Sequence, residues 1–346
     1  MDSSVFDGVP DSVPDAGSER CAVVGDGSMG ATLAHVIAAG GRPCTLWCRS
    51  PETARAIERD HRHPGRPAHA LDPRLRATAS LASAVEGAAL VVVAVHSAAF
   101  GEMAREIGAL ATAGQALFSA TKGIEHPSLR LMSDLLGEAA PGCAVGTIGG
   151  TNITGEIMAG QLSSLVVASP QAQARARAAA ALGAPHLVVL ATADLYGVEL
   201  FSVLKNAVSI AAAIGMGAGL GYNALGLVVA RALAEVRALG AALGADPRVL
   251  DGPAGIGDVF LTASSPQSLN RRLGMELGGG RRLDEIVAEL PEVPEGIGAV
   301  RAVRPLAERA GLALPVCAAV ERIMEGVEPP RALGRAVIEA YREGVG

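Results

Sequence analysis

A short β-type run passes straight into a glycine-rich turn and a helix near the start of this chain, and that junction constrains the fold more than any other feature. Cys21-Ala22-Val23-Val24 lead into Gly25-Asp26-Gly27-Ser28-Met29-Gly30, and residues 31–39 continue with helical character. Gly25 permits a tight turn, Gly27 admits close approach to the backbone, and Gly30 lets the helix pack onto the strand. Free N–H groups at the helix start favour an anion such as a pyrophosphate. With 43 glycines in the chain the spacing alone carries little weight, and an ordinary strand–helix turn is the alternative. The position of the motif, between a first strand and a helix, supports dinucleotide binding.

Further along, short β-type runs alternate with amphipathic stretches. The runs are Cys21–Val24, Cys44–Trp47, 90–95, Ala116–Ser119, 144–148, 165–168 and 186–190, separated by helical patterns such as Pro51–Asp60, Ser97–Leu110 and 170–182. Such alternation predicts right-handed crossovers and a largely parallel sheet covered on both faces. Residues 61–74, rich in Pro, His and Arg, read as one long irregular connection. Beyond residue 192 only helical periodicity remains, with Gly and Asn at 215–223 and a loop-rich stretch at 252–270. The expected fold is therefore an α/β Rossmann-like domain over 20–192 followed by an all-α domain over 193–346, preceded by an acidic, disordered tail at 1–19.

Composition narrows the function. Lys and Arg number 29 against 35 Asp and Glu, a net charge of −6, and the basic residues are scattered; with aromatics at 3% there is little for nucleic acid to bind or stack on. The five cysteines form no CxxC pattern and no Cys/His cluster, so no metal site is expected and a reducing, cytoplasmic setting is. The tail lacks the basic and apolar regions of a signal peptide. Charged residues such as Lys205, Arg231, Glu235 and Arg237 interrupt the apolar stretches, and none reads as a membrane span.

At the end of the second strand, where a carboxylate ordinarily holds a cofactor ribose, the run is Leu46-Trp47-Cys48-Arg49-Ser50. An arginine there suits the 2′-phosphate of NADP, so NADPH is the expected cofactor, with NADH possible. A solvated Arg49 is the alternative.

Several segments together resemble the NAD(P)-dependent glycerol-3-phosphate dehydrogenases, within the wider 6-phosphogluconate dehydrogenase-like superfamily. They are Val95-His96-Ser97, Thr121-Lys122-Gly123-Ile124-Glu125, Gly150-Thr151-Asn152, Gly197-Val198-Glu199-Leu200, Leu204-Lys205-Asn206-Ala207, Gly221-Tyr222-Asn223-Ala224, Gly252-Pro253-Ala254-Gly255-Ile256-Gly257-Asp258 with Thr262, Ser268-Leu269-Asn270-Arg271-Arg272 with Gly274, and Glu295-Gly296. The resemblance implies reversible reduction of dihydroxyacetone phosphate to glycerol 3-phosphate, a small anionic substrate and a homodimer.

Reducing a ketone with a nicotinamide requires a proton donor for the forming alkoxide and cations for an anionic substrate. Lys205, flanked by Leu204 and Ala207, sits where desolvation would bring a lysine towards acid/base use; the resemblance gives it that role, against a snorkelling surface lysine. Lys122, at the exit of a strand, is implied to contact substrate, and Asp258 to bind a substrate hydroxyl or orient Lys205, four residues before Thr262 on one helix side. Gly150, Asn152, Asn206, Thr262, Ser268 and Asn270 are implied on the substrate side; caps are the alternative for Asn206, Asn270 and Asp258. Gly25, Gly27, Ser28, Met29, Gly30, Arg49, Val95 and Glu295 are implied on the cofactor side.

Four places depart from the family pattern. Leu269 stands where an arginine serves phosphate and cofactor, removing a bidentate clamp. Thr151, Ile153 and Thr154 replace Pro, Phe and Ala, Tyr222 replaces an acid, and His96 replaces a proline. All four are expected to line the cleft, which points to an alternative: a specialised reductase of another phosphorylated or carboxylated ketone. His96 reads either as a second acid/base or as a hydrogen-bonded loop histidine.

Overall fold

The computed structural model describes residues 5–6 and 19–342, without the side chains of Arg66 and Pro67. Most of the segment expected as a tail lies outside the described residues. Two compact units divide the chain: residues 1–125 with 130–199, and residues 126–129 with 200–346.

Among the described residues the first unit carries ten strands: β1 (Cys21–Val24), β2 (Cys44–Trp47), β3 (Arg62–His63), β4 (Arg66–Ala70), β5 (Arg76–Thr78), β6 (Leu90–Val93), β7 (Ala116–Ser119), β8 (Ala144–Gly149), β9 (Ser163–Ala168) and β10 (Leu187–Thr192). Eight form one sheet in the order β10-β9-β8-β7-β6-β1-β2-β5. Every pairing is parallel except β8 with β9. Its helices are α1 (Ser28–Ala39), α2 (Pro51–Asp60), α3 (Leu81–Val85), α4 (Ser97–Leu110), α5 (Met132–Ala139), α6 (Thr154–Met158) and α7 (Ala172–Ala181).

The Val-rich strands β1 and β6 are buried along their whole length, as a sheet covered on both faces requires. Alternate side chains serve opposite layers. Cys21 and Val23 join Leu33 and Ile37 of α1, whereas Ala22 and Val24 join Phe100 and Ile107 of α4 and Met132 of α5. Register aligns Val24 with Trp47 and Val93, and Val93 with Ser119. The residues after these strands (Gly25, Cys48, Ala94 and Ala120) therefore emerge at one sheet edge, where open α/β sheets hold ligands.

Two expectations fail locally. The connection at 61–74 is not irregular throughout, because β3 and β4 form an antiparallel hairpin within it. Its short strands lack the apolar alternation by which strands are recognised. The stretch at 252–270 is mostly helical rather than looped.

The second unit contains most of α8 (Leu195–Gly217), then α9 (Tyr222–Ala242), α10 (Pro247–Leu250), α11 (Asp258–Ser264), α12 (Leu269–Gly278), α13 (Leu283–Glu289), α14 (Glu295–Ala310), α15 (Pro315–Met324) and α16 (Ala332–Arg342). Among the described residues no strand follows Thr192. A wide turn over Pro253–Gly257, closed from Gly257 N to Gly252 O at 3.3 Å, feeds α11. The division between units falls inside α8, after Glu199 rather than near residue 192, and residues 126–129 belong with the helical unit. A change of pattern marks where strands cease; packing sets where the unit ends.

By length and composition α8 could cross a membrane, but 89% of its apolar window is buried inside the protein. Glu235 of α9 accepts from the first-turn amides Val316 N at 3.0 Å and Cys317 N at 2.9 Å, so a buried carboxylate satisfies the open N-terminus of α15.

Candidate active site

The glycine-rich turn can be tested by what a side chain would meet there. A Cβ on Gly25, where φ is +114°, would lie 2.4 Å from Ala94 O and 3.1 Å from Val95 Cγ1. One on Gly30 would lie 1.9 Å from Gly25 O, whereas one on Gly27 meets nothing within 4 Å. Gly25 and Gly30 are thus needed by the protein's own packing, and Gly27 keeps open the space beside the backbone. Among the described residues no side chain caps α1, which leaves its first amides available, and Ser28 beside them is exposed. This is a cradle that fits a dinucleotide pyrophosphate. Met29 differs from its expected neighbours in packing against the core shared by α1 and the sheet. Arg49 is exposed after β2, one residue before Ser50, which caps α2.

After β7, Lys122 Nζ donates to Asn152 Oδ1 at 3.1 Å, and Asn152 Nδ2 donates to Gly149 O at 3.3 Å. Lys122 and Asn152, 30 residues apart, are therefore brought together. Thr121 Oγ1 donates to Val95 O at 2.7 Å, tying the exits of β6 and β7. Gly150 adopts φ +111°, and a Cβ there would sit 2.6 Å from Ser164 O, so it serves the close approach of β9.

In the helical unit the chemistry concentrates on α8 and α11. Lys205 is only 4% exposed, which excludes a snorkelling surface lysine. Its Nζ donates to Asp258 Oδ1 at 3.0 Å and to Thr262 Oγ1 at 2.7 Å. Thr262 Oγ1 in turn donates to Asp258 Oδ1 at 3.2 Å, as the four-residue spacing on one helix predicts. Asp258 stands at the first position of α11 without acting as its side-chain cap. Desolvating an ammonium and a carboxylate together costs several kcal/mol, roughly, unless both are paired and hydrogen-bonded, and here both are. Beside them, Asn270 Nδ2 donates to Asn206 Oδ1 at 3.0 Å, and Asn270 Oδ1 accepts from Gly296 N at 3.1 Å. Neither asparagine is the N-cap of its own helix; the Asn270 side chain instead satisfies a first-turn amide of α14, next to Glu295 at that helix's first position.

Other expected site residues are placed differently. Ser268 caps α12, its Oγ accepting from Arg271 N at 3.1 Å. Thr151 turns to β9, with its Oγ1 2.7 Å from Ser164 Oγ. Tyr222 is 88% exposed at the start of α9. His96 caps α4, its Nδ1 accepting from Ala98 N at 3.4 Å, the bland reading of that residue. Leu269 is half-buried at the first position of α12 and brings no charge there. Of the arginines that follow, Arg272 is held by Glu276 at 2.8 Å. Among the described residues no group of three or more His, Cys, Asp or Glu is arranged to hold a metal ion.

Sequence reasoning quoted Glu199 among the matching segments but gave it no role. Glu199, in the second turn of α8, is 1% exposed; Ser133 N donates to its Oε1 at 3.0 Å and Ser133 Oγ contacts its Oε2. Burial pushes this carboxyl up to about 8, against the lowering effect of the Ser133 hydrogen bonds. The signal was a glutamate in an otherwise apolar helix, six residues before Lys205.

Comparison with known proteins adds the following. Residues 20–175 match the family model for the N-terminus of NAD-dependent glycerol-3-phosphate dehydrogenase, and residues 194–335 match that for its C-terminus. A glycerol-3-phosphate dehydrogenase [NAD(P)+] of Azotobacter vinelandii is 37% identical over 326 residues, covering 93% of this chain and 94% of the relative. One from Rhodospirillum rubrum is 36% identical, covering 89% and 88%. The crystal structure of glycerol-3-phosphate dehydrogenase from Coxiella burnetii superposes with a TM-score of 0.85 at 28% identity, covering 94% of this chain and 99% of that one.

Proposed function

The chain belongs to the NAD-dependent glycerol-3-phosphate dehydrogenase family, and from that premise we propose how its own residues carry the reaction. It is an oxidoreductase that acts on a CH–OH group with NADPH or NADH and reduces dihydroxyacetone phosphate, a small anionic ketone, reversibly to glycerol 3-phosphate. When bound, the reduced nicotinamide supplies the hydride that reaches the carbonyl carbon.

Everything else is the work of the chain's own residues. Gly25, Gly27, Ser28 and Gly30 form the turn that takes the pyrophosphate, with Met29 supporting it from the core and Val95 packed against Gly25. Arg49, exposed after β2 with no carboxylate in the Cys48–Ser50 run, supports a preference for NADPH. Glu295 is assigned to the cofactor ribose. Lys205 delivers the proton to the oxygen that becomes the product hydroxyl, and the buried cluster of Lys205, Asp258 and Thr262 is the observation that carries this assignment. A lysine held by two groups on one helix presents Nζ in a fixed direction, which proton transfer in a transition state requires. Lys122 and Asn152 bind the anionic substrate on the nucleotide-binding unit, with Gly150 shaping their loop. Asn206 and Asn270 hydrogen-bond its hydroxyl or phosphate oxygens, and Ser268 retains a hydroxyl hydrogen to donate. We assign the protein to the cytoplasm, which its five free cysteines support, and to a homodimer, as the resemblance implies.

Oxidation of NADPH on adding dihydroxyacetone phosphate tests the reaction directly. Leu269 bears on how tightly the substrate is held. Leu269→Arg is expected to lower KM for dihydroxyacetone phosphate roughly tenfold, because a guanidinium regains charge-assisted bonds to phosphate. No turnover with this ketone, alongside turnover with a different phosphorylated or carboxylated one, would instead establish the specialised reductase that Leu269 raises.

A further inference from the structure

The glycine-rich turn contains an acid that an anion-binding loop does not need. Asp26 lies directly between Gly25 and Gly27, so its carboxylate stands within one residue of the backbone that must receive phosphates. A fixed negative charge so close to a bound polyanion opposes binding unless it is turned away or compensated.

The β3–β4 hairpin supplies the means. His63, at the end of β3, is 9% exposed, and its Nε2 lies 3.9 Å from Asp26 Oδ2. Gly65 N donates to His63 Nδ1 at 3.1 Å. That bond occupies the Nδ1 lone pair and leaves Nε2 to carry the ring proton, at a separation from Asp26 that allows electrostatic attraction and is longer than a hydrogen bond. The Asp26 side chain is 24% exposed, so it is partly withdrawn from water on this side. A second neighbour reports the same direction. Burial pushes the Cys48 thiol at the exit of β2 up to about 12, and the Asp26 carboxylate adds to that rise. Asp26 thus lies near both the hairpin and the exit of β2. The hairpin also reaches the first turns of α1: Ser28, Thr32, His63 and His69 line one cavity of about 350 Å³.

We propose that His63 is a positioning residue for the cofactor, which holds the Asp26 carboxylate on the hairpin side of the glycine-rich turn so that the turn can accept the phosphates of a dinucleotide. This rests on the reading that the turn binds the dinucleotide. The hairpin then acts as part of the cofactor site although no atom of His63 needs to touch the cofactor. Arg49 and His63 have opposite duties: one offers a positive charge to the ligand, the other restrains a negative one.

A double-mutant cycle read by fluorescence titration with NADPH and with NADH tests this on the full chain. His63→Ala is expected to weaken binding of both roughly tenfold while Asp26 is present, and less than twofold in the Asp26→Asn background. Asp26→Asn alone should bind as tightly as the unaltered protein or more so. The loss in His63→Ala should shrink as salt is raised, which a packing defect would not do. Should His63→Ala fail to fold, His63→Phe keeps a ring of similar size without its nitrogens and carries the same cycle. Equal losses in both backgrounds, or no loss in either, overturn the proposal. Gly27→Val separates that failure from a failure of the underlying reading, because its side chain would enter space that the protein leaves open. If Gly27→Val abolishes binding while the cycle shows no coupling, the turn binds the dinucleotide and His63 does not position Asp26. If Gly27→Val binds normally, the dinucleotide reading of the turn fails as well.

Discussion

Lys205→Ala is expected to lower turnover by about 10²–10⁴-fold, the range over which a positioned general acid contributes, while NADPH binding stays close to normal. Removal of the ammonium has a second effect, because Asp258 is 2% exposed and would keep a buried charge without its partner. Breaking a buried pair in this way costs about 3–5 kcal/mol of stability, so a loss of activity alone would not identify a catalytic lysine. The paired variant Lys205→Ala/Asp258→Asn resolves the two effects. Neutralising the orphaned acid should restore much of the unfolding midpoint and none of the turnover. Recovery of both together would mean that Lys205 serves only the packing of α8 against α11. Near-normal turnover in Lys205→Ala, with weakened NADPH binding, would remove it from the proton-transfer role altogether.

The second large effect concerns Glu199 and has a definite sign. Its carboxyl titrates near 8 in the folded protein, against 4.5 for an ordinary glutamate. Between those values the folded state holds a proton that the unfolded state has released. Stability from this group is therefore complete below about pH 4.5 and is lost as pH rises towards and through 8, at about 1.4 kcal/mol per pH unit. Over the interval the loss is on the order of a few kcal/mol, large against the ordinary stability of a domain. Glu199→Gln replaces the neutral acid by a neutral amide of the same shape, whose oxygen can still accept from Ser133 N and whose NH₂ can donate to Ser133 Oγ. The variant should match the parent in unfolding midpoint at pH 5 and exceed it clearly at pH 9. Parallel midpoint–pH curves for the two proteins would show that Glu199 does not titrate in this range.

Much of this arrangement was legible before any coordinates. The strand–turn–helix at Cys21–Ala39 follows from glycine spacing and its neighbours, and the sheet from β-type runs that recur between amphipathic stretches. Lys205 and Asp258 were legible as candidates, and their pairing across 53 residues only as one of two roles offered for Asp258, since spacing along the chain predicts contacts only within one element. The hairpin at 61–74 stayed hidden because a two-residue strand such as β3 has no alternation to display. The wide turn at Pro253–Gly257 was hidden by its glycines and proline, which ordinarily signal a loop. Thr151 and Tyr222 show a third limit. A family pattern places a residue in the chain, but the local backbone decides where its side chain points, and these two turn to β9 and to solvent.

Helix α8 can also be considered as a lever. Glu199 is fastened near one end, and Lys205 lies six residues along the same rod, about 9 Å away at 1.5 Å per residue. At that radius a tilt of only about 6° carries the lysine through roughly 1 Å, an error that can cost about a hundredfold in rate. The tolerance of the proposed proton transfer is therefore set partly at Ser133, through the hydrogen bonds that fasten Glu199.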